Sequence, residues 1–197
     1  MVIMKAFDED RLYQVLGLLD ELLGMENSPR IELVVCGGSA LIAAGLVRRT
    51  TRDVDVVALV DNGMRSIDPE PFPPALTKAA EKVATSMDLP RDWLNRPSDL
   101  FRMGLPEAFT ERLERHIIGK YLTVYFIGRL DQIYFKLYAS VDRGGYHIDD
   151  LMALTPSAEE LVAAAKWSMT HDVSDGYAAM LKSLLKRLGY EDAALEI

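Results

Sequence analysis

The stretch VVCGGSALIAAGLVRRTTRDVDVVALV, residues 34–60, limits what this chain can fold into more than any other. An apolar run ends at two glycines and a serine, a short apolar segment follows, and a second apolar run begins with two aspartates that alternate with valines. This order predicts strand, turn, helix and strand. Two interpretations fit it: the ordinary turn residues of a β-α-β unit, or a phosphate-binding turn that faces a pair of metal-binding carboxylates.

The turn itself suits a phosphate. Glycines between a strand and a helix allow a tight bend and a close approach to a ligand. Ser39 lies where a helix over 39–47 is expected to begin, among N–H groups that have no partner within the helix and can receive an anion. Gly37, Gly38 and Ser39 are therefore candidate nucleotide-binding residues. The alternative is that the glycines only make the turn and Ser39 only caps the helix.

The aspartates at the start of the second strand form the other half of the pattern. In a strand, Asp53 and Asp55 project to one face and Val54 to the other. Two carboxylates about 7 Å apart along a strand resist ionising together unless a cation lies between them. Mg²⁺ suits such a pair, because it binds carboxylates while keeping waters and substrate phosphates as ligands. We expect Asp53 and Asp55 to hold the metal; the alternative is a solvent-exposed strand start.

Composition narrows the class of protein. The 197 residues are 49% hydrophobic and 26% charged, as is typical of a globular protein with a buried core. A net charge of −8 argues against binding nucleic acid mainly through a basic surface, but not against a nucleotide substrate whose charge a divalent metal neutralises. The one cysteine, Cys36, excludes a disulfide within the chain, and no run approaches the ~18 apolar residues of a membrane helix. We expect a cytoplasmic protein that does not enter a membrane.

The rest of the pattern predicts an α/β half followed by a helical half. The predicted strands are 31–36, 53–60, 112–119 and 120–128, and the predicted helices are 8–24, 39–47, 74–87, 130–142, 147–154, 157–171 and 175–189. The loop over 61–75 is rich in Pro and Gly and long enough to be a lid or a binding segment. We predict an α/β (α+β) fold, with a small mixed sheet flanked by helices in residues 1–129 and a helical region, 130–197, packed on it.

Taken together, these residues resemble the DNA polymerase beta-like nucleotidyltransferase superfamily, whose signature is a G-[GS] turn followed by a D-x-D strand. Here the turn is Gly38-Ser39 and the strand begins Asp53-Val54-Asp55. RTTRDVD is similar to the R-x-T-x-D-x-D form of the abortive-infection toxin (AbiEii) group and of small bacterial relatives. DWLN is similar to a segment of those small bacterial relatives. DQIYFKLYASVDRGGYHIDDL resembles the second half of that pattern, so the resemblance covers about residues 31–154.

The resemblance also implies roles for residues in the second half. Lys136 would contact the triphosphate, Arg143 would neutralise charge on the nucleotide, and Asp150 would be a downstream catalytic acid beside the catalytic aspartates Asp53 and Asp55. On the predicted helix 130–142, a buried stripe of Ile133, Tyr134, Leu137, Tyr138 and Val141 would leave Lys136 off the stripe. Lys136 would then face a crevice or, as the alternative, be a solvated surface lysine.

Two departures from the pattern concern catalysis. The broader superfamily often carries a third carboxylate on a later strand, whereas KYLTVYFIG contains no acid. The abortive-infection pattern usually has an acid three residues before the last aspartate, where this chain has His147. Either departure bears on catalytic competence more than on the fold.

The resemblance implies an enzyme, a Mg²⁺-dependent nucleotidyltransferase that moves an NMP from an NTP to an acceptor hydroxyl on an RNA or a protein. It also implies a partner protein from a neighbouring gene, as in a toxin–antitoxin pair. The alternative is a catalytically inactive nucleotide- or protein-binding module of the same fold. Three arginines beside the motif, at positions 48, 49 and 52, suit contact with an RNA acceptor or, equally, a solvated turn.

Overall fold

A computed structural model describes residues 6–48, 50–61, 63–97 and 100–197. The strands are β1 Ile31–Cys36, β2 Val54–Val60, β3 Ser66–Ile67, β4 Leu94–Asn95, β5 Glu114–Ile117 and β6 Leu122–Phe126. The helices are α1 Glu9–Met25, α2 Gly37–Ala43, α3 Pro74–Met87, α4 Leu100–Met103, α5 Arg129–Asp142, α6 Tyr146–Ala153, α7 Ala158–Met169, α8 Asp175–Arg187 and α9 Glu191–Leu195, with a 3-10 turn at Phe109–Arg112. The described part of the chain contains no helix long and apolar enough to cross a membrane.

The chain divides into two units, Met1–Ile127 and Gly128–Ile197. The first unit contains one mixed sheet of order β3-β2-β1-β6-β5, with β4 also paired to β2. β1 runs parallel to β6 and antiparallel to β2, while β5 is antiparallel to β6. The expected α/β class with a small mixed sheet and flanking helices is therefore confirmed.

The connection from β1 to β2 is not a β-α-β crossover, because the two strands are antiparallel neighbours. α2 has seven residues and rises only about 10 Å, half the length of the six-residue β1, so it does not run back along the strand as a crossover helix would. α2 also begins two residues earlier than expected and ends at Ala43, so Ser39 lies inside its first turn.

Helix α1 is capped at its start and held to the sheet at its middle. Asp8 caps it by accepting a hydrogen bond from the N–H of Arg11, at 2.9 Å. Farther along, one carboxylate oxygen of Asp20 accepts the N–H groups of Tyr121 and Leu122, each at 2.7 Å. Its leucine-rich face is fully buried, at residues 12, 16, 19 and 23. An apolar stripe and the Asp20 carboxylate therefore hold α1 against the sheet.

The second unit is helical throughout, and its predicted helices are present with ends shifted by at most two residues. α7 begins with a capping box in which Ser157 and Glu160 each bond to the other's backbone N–H. Arg129, at the start of α5, donates to both carboxylate oxygens of Glu160, at 2.6 and 3.0 Å. That guanidinium lowers the pKa of the Glu160 carboxyl and keeps it ionised. α9 was not predicted, because five residues are too few for a helical period.

The expected buried stripe of α5 is partly wrong. Ile133 and Leu137 are fully buried, but Tyr134, Tyr138 and Val141 are only half-buried. The polar side of the helix is buried instead, at Asp131, Gln132, Lys136 and Ser140. A helix tolerates this when its buried polar groups have partners, and the Ser140 hydroxyl donates to the Lys136 carbonyl oxygen at 2.6 Å. Hydrophobic periodicity alone cannot predict such a face.

Candidate functional site

The turn between β1 and α2 brings a carboxylate against the backbone. Gly37 has φ +72°, a left-handed conformation that favours glycine. A Cβ atom built on Gly37 would collide with the Oδ2 atom of Asp55. The Asp55 carboxylate therefore occupies the space that any other side chain at position 37 would need, and the first part of the expected site, turn plus aspartate, is brought together.

The pairing of β1 with β2 fixes the face on which Asp55 lies. Asp55 pairs with Cys36 and Ala58 pairs with Val34, while the register shifts between these pairs so that Val57 is the extra residue of a bulge. Because Cys36 and Val34 are two residues apart on β1, their side chains share a face, and Asp55 shares it with them. The bulge thus turns the carboxylate to that face within a strand that is otherwise buried.

Asp53 lies just before β2 and is also half-buried. Its Oδ1 atom accepts a hydrogen bond from the hydroxyl of Thr51 at 2.9 Å. That bond limits rotation of the carboxylate, as the partners of metal-binding carboxylates usually do. Both aspartates are partly accessible to solvent, and neither lies at a fully exposed strand start.

The pair fits a hard divalent cation. Carboxylate oxygens are the protein ligands that Mg²⁺ prefers, and Gly37 leaves room for one of them at the turn. Within the described residues, no group of three or more His, Cys, Asp or Glu side chains lies close enough to hold a metal ion. Two aspartates would therefore be the protein's share of the ligands, which is usual for Mg²⁺ beside a phosphate substrate.

The hydroxyl of Ser39 points away from solvent. Ser39 is 0% exposed, and its Oγ donates to the carbonyl oxygen of Cys36 at 3.3 Å. Cys36, not Ser39, is the residue that precedes the helix. The exposure of 0% covers the whole residue, so neither the hydroxyl nor the backbone N–H of Ser39 is open to solvent. The binding roles of Gly37, Gly38 and Ser39 stay predictions.

Glu32 is an acid that the sequence reasoning missed. It lies on β1 two residues before Val34, and so on the same face of the sheet as Asp55. It accepts a hydrogen bond from the hydroxyl of Tyr125 on β6 at 2.9 Å; burial and this bond raise the pKa of Tyr125. Four residues separate Glu32 from Cys36, about 13 Å along a strand, so Glu32 cannot share a metal with Asp55. The sequence did contain a signal for Glu32, because this acid alternates with apolar residues in IELVVC.

In the second unit, the structure pairs two of the predicted residues. The ammonium group of Lys136 on α5 donates to Oδ2 of Asp150 on α6 at 2.7 Å, and their side chains are 6% and 2% exposed. The alternative of a solvated surface lysine is therefore wrong. Arg143 follows α5 and is exposed, and His147 is buried beside Tyr146, with ring centroids 4.1 Å apart. The roles of Lys136, Arg143 and Asp150 toward a nucleotide stay predictions.

The basic cluster beside the motif is exposed as far as the structure describes it. Arg48 and Arg52 are exposed, and Arg49 lies outside the described residues. Nothing in their geometry separates an RNA contact from a solvated turn.

Comparison with known families places these features in context. A family model described as a nucleotidyltransferase of unknown function (DUF6036) matches residues 10–158, about three quarters of the chain. The match includes the Gly-Gly-Ser turn and both aspartates, and it extends through α5 and α6. Comparison with curated proteins and with solved structures gave no match. The chain therefore belongs to this nucleotidyltransferase family.

Proposed function

We propose that this protein is a Mg²⁺-dependent nucleotidyltransferase that moves a nucleoside monophosphate from an NTP to an acceptor hydroxyl. The observation that carries the proposal is the placement of the Asp55 carboxylate against the Gly37 turn, in a chain of a nucleotidyltransferase family. The same arrangement accounts for both unusual features of residues 34–60. A glycine is needed so that the carboxylate can approach, and the carboxylate is needed to hold the metal.

The residues of the first unit have distinct tasks in this proposal. Asp53 and Asp55 hold the metal ion, with Asp53 oriented by the hydroxyl of Thr51. Bound Mg²⁺ supplies positive charge to the phosphates in an otherwise acidic protein. Backbone N–H groups of the turn that begins at the half-buried Gly37 bind the phosphates that leave as pyrophosphate, and the Ser39 hydroxyl is already used within the turn. An aspartate also orients the attacking acceptor hydroxyl.

The proposal also names the class of acceptor and the biological setting of the reaction. An RNA or a protein hydroxyl is the proposed acceptor, and an RNA would contact the exposed Arg48 and Arg52. The similarity of RTTRDVD to abortive-infection toxins supports a role as the enzyme component of a toxin–antitoxin pair, with a partner protein from a neighbouring gene and a cytoplasmic site of action.

Transfer of label from radioactive NTPs tests the reaction. With Mg²⁺ and either bulk RNA or protein as acceptor, label in the α-phosphate should enter the acceptor, whereas label in the γ-phosphate should leave with pyrophosphate. Asp55→Asn should lower transfer by more than about 100-fold, because even residues that only support metal ligands contribute 10- to 100-fold. Asp61→Asn is the matched control, because Asp61 follows β2 and pairs within the same turn, with Arg65 at 2.7 Å. Transfer of γ-label, or full activity of Asp55→Asn, would refute the proposal.

A second candidate is a nucleotide- or protein-binding module of the same fold without catalysis. The observation that favours it is strand β6, whose five residues, Leu122–Phe126, are all buried and include no acid. Metal-dependent NTP binding without transfer to any acceptor would support this candidate over the enzyme. Transfer of α-label that depends on Asp55 would exclude it.

A further inference from the structure

The outer edge of β2 is covered in two separate places. β4 pairs with Val54 and Asp55, and β3 pairs with Leu59 and Val60. Among the described residues, no strand pairs with 56–58 on that edge, which is where the bulge lies. A cavity of about 250 Å³ opens at this gap, with Val57 in its wall.

This cavity lies next to the proposed metal ligand. Val57 is two residues beyond Asp55, about 7 Å along the strand. Arg96, which also lines the cavity, directly follows Asn95, the residue of β4 that pairs with Asp55. A ribose spans such a separation between the α-phosphate and the base of a nucleotide. The cavity is thus where the nucleoside end of an NTP would lie if its phosphates were held at Asp55.

The charged side chains around the cavity form a connected network of ion pairs with no net charge. Arg102 contacts Asp68 at 2.9 Å and Glu70 at 3.0 Å, and Glu70 also contacts Arg96 at 3.2 Å. The Arg102 guanidinium lowers the pKa of Asp68, so this acceptor stays ionised at neutral pH. Two cations balanced by two anions give a phosphate no net attraction. They do give a neutral ligand both hydrogen-bond donors and acceptors.

The walls between these charges suit a planar ring. Phe101 supplies apolar surface, and the Arg96 guanidinium, which also lines the cavity, is held over the neighbouring ring of Phe72, 5.4 Å from its centroid. Nucleobases stack on aromatic rings and guanidinium planes, and their edges pair with arginine and carboxylate side chains. Apolar walls with a few converging polar groups are also typical of sites for small ligands.

We infer that the cavity between β3, β4 and α4 binds the base of the NTP substrate. Phe101 stacks on the base, while Arg96 and Glu70 bond to its edge. This inference rests on the proposed function, which supplies the phosphates and metal at Asp55. It adds that the choice among NTPs is made at this cavity, by residues outside the Gly-Gly-Ser and D-x-D motifs.

Calorimetric binding of each of the four NTPs, and of inorganic tripolyphosphate, with Mg²⁺ tests the inference. Phe101→Ala should weaken binding of the preferred NTP at least about fivefold, the lower end of what one base–aromatic stack contributes. It should leave tripolyphosphate binding unchanged. Glu70→Gln should reduce the preference among the four NTPs. Arg91→Ala, an exposed arginine outside the cavity, is the control for loss of surface charge.

The outcomes separate this inference from the proposed function. If the wild-type protein binds an NTP with Mg²⁺ but Phe101→Ala and Glu70→Gln bind all NTPs as it does, the base lies elsewhere and only this inference falls. If Phe101→Ala weakens the binding of NTP and of tripolyphosphate equally, the cavity holds phosphates rather than the base, and this inference is overturned. If the wild-type protein binds no NTP, both fall. Glu70 is half exposed, so Glu70→Gln keeps the test available even if Phe101→Ala unfolds.

Discussion

The carboxylate of Asp55 lies where the Cβ atom of residue 37 would be, and only glycine at that position leaves it room. This relationship joins the two halves of the sequence motif in space. The glycine turn and the D-x-D strand are adjacent because β1 and β2 are antiparallel neighbours and Cys36 pairs with Asp55. A turn of unusual φ and the acid proposed to bind the metal thus depend on each other.

Gly37→Ala should destabilise the protein more than its backbone strain explains. A non-glycine residue in a left-handed conformation costs about 1–3 kcal/mol. Gly45→Ala is the matched control, since Gly45 has φ +66° but open space where its Cβ would lie. Urea denaturation should show a larger loss for Gly37→Ala than for Gly45→Ala.

The excess loss should depend on Asp55. Adding Asp55→Ala to Gly37→Ala should return its free energy of unfolding to near that of Gly45→Ala, because the collision is removed. Equal costs for the two glycine substitutions would show that the carboxylate does not occupy this space.

Lys136 and Asp150 should behave as a buried ion pair. Removing one partner leaves a buried charge uncompensated, so Lys136→Met or Asp150→Leu alone should cost about 3–5 kcal/mol of unfolding free energy. The double substitution should recover most of that loss, as apolar replacements of buried pairs often do. Lys82→Met, in an exposed pair with Glu26, should change stability little. A wild-type-like Lys136→Met would show that the pair is not buried.

Asp20 should be needed to hold α1 to the sheet. Asp20→Ala leaves the N–H groups of Tyr121 and Leu122 without their acceptor, which should cost about 1–3 kcal/mol in a denaturant titration. Asp20→Asn keeps an oxygen in place and should cost less. Glu21→Ala, on the exposed side of the same helix, should be nearly neutral. Equal effects of Asp20→Ala and Glu21→Ala would contradict the anchoring role.

His171 should make the protein less stable in weak acid. Its ring lies 4.3 Å from that of Trp167, and burial lowers its pKa below the ordinary 6.5. The unfolded chain therefore binds a proton at a higher pH than the folded chain does. The free energy of unfolding should fall as pH drops below about 6.5. In melts between about pH 7.5 and 5.5, His171→Phe should lose part of this pH dependence; an unchanged slope would refute the assignment.

Much of the first unit was predictable, because its elements are long and periodic. Helix 74–87 and strand 31–36 were predicted at their observed ends, and α1 is displaced by one residue. The aspartates and the glycine turn were also recognisable, because each breaks an apolar run. By contrast, β3 and β4 have two residues each, too few to show alternation.

What the sequence could not predict depends on contacts between distant residues. The burial of Lys136 follows from an ion pair across fourteen residues, which a helical period does not reveal. The cavity beside β2 depends on a bulge at Val57 and on Glu70 and Arg96 reaching one another at 3.2 Å. Lone charges in a proline-rich loop give no sign that they will meet.

The most direct test of the central claim is calorimetric titration of NTP into the wild-type protein and into Asp53→Asn and Asp55→Asn, with and without Mg²⁺. Asp61→Asn serves as the control in the same segment. The account predicts saturable NTP binding that requires Mg²⁺, is lost in both site variants and is kept in the control. Absence of Mg²⁺-linked binding, or Asp53→Asn and Asp55→Asn that bind as the wild-type protein does, would contradict it.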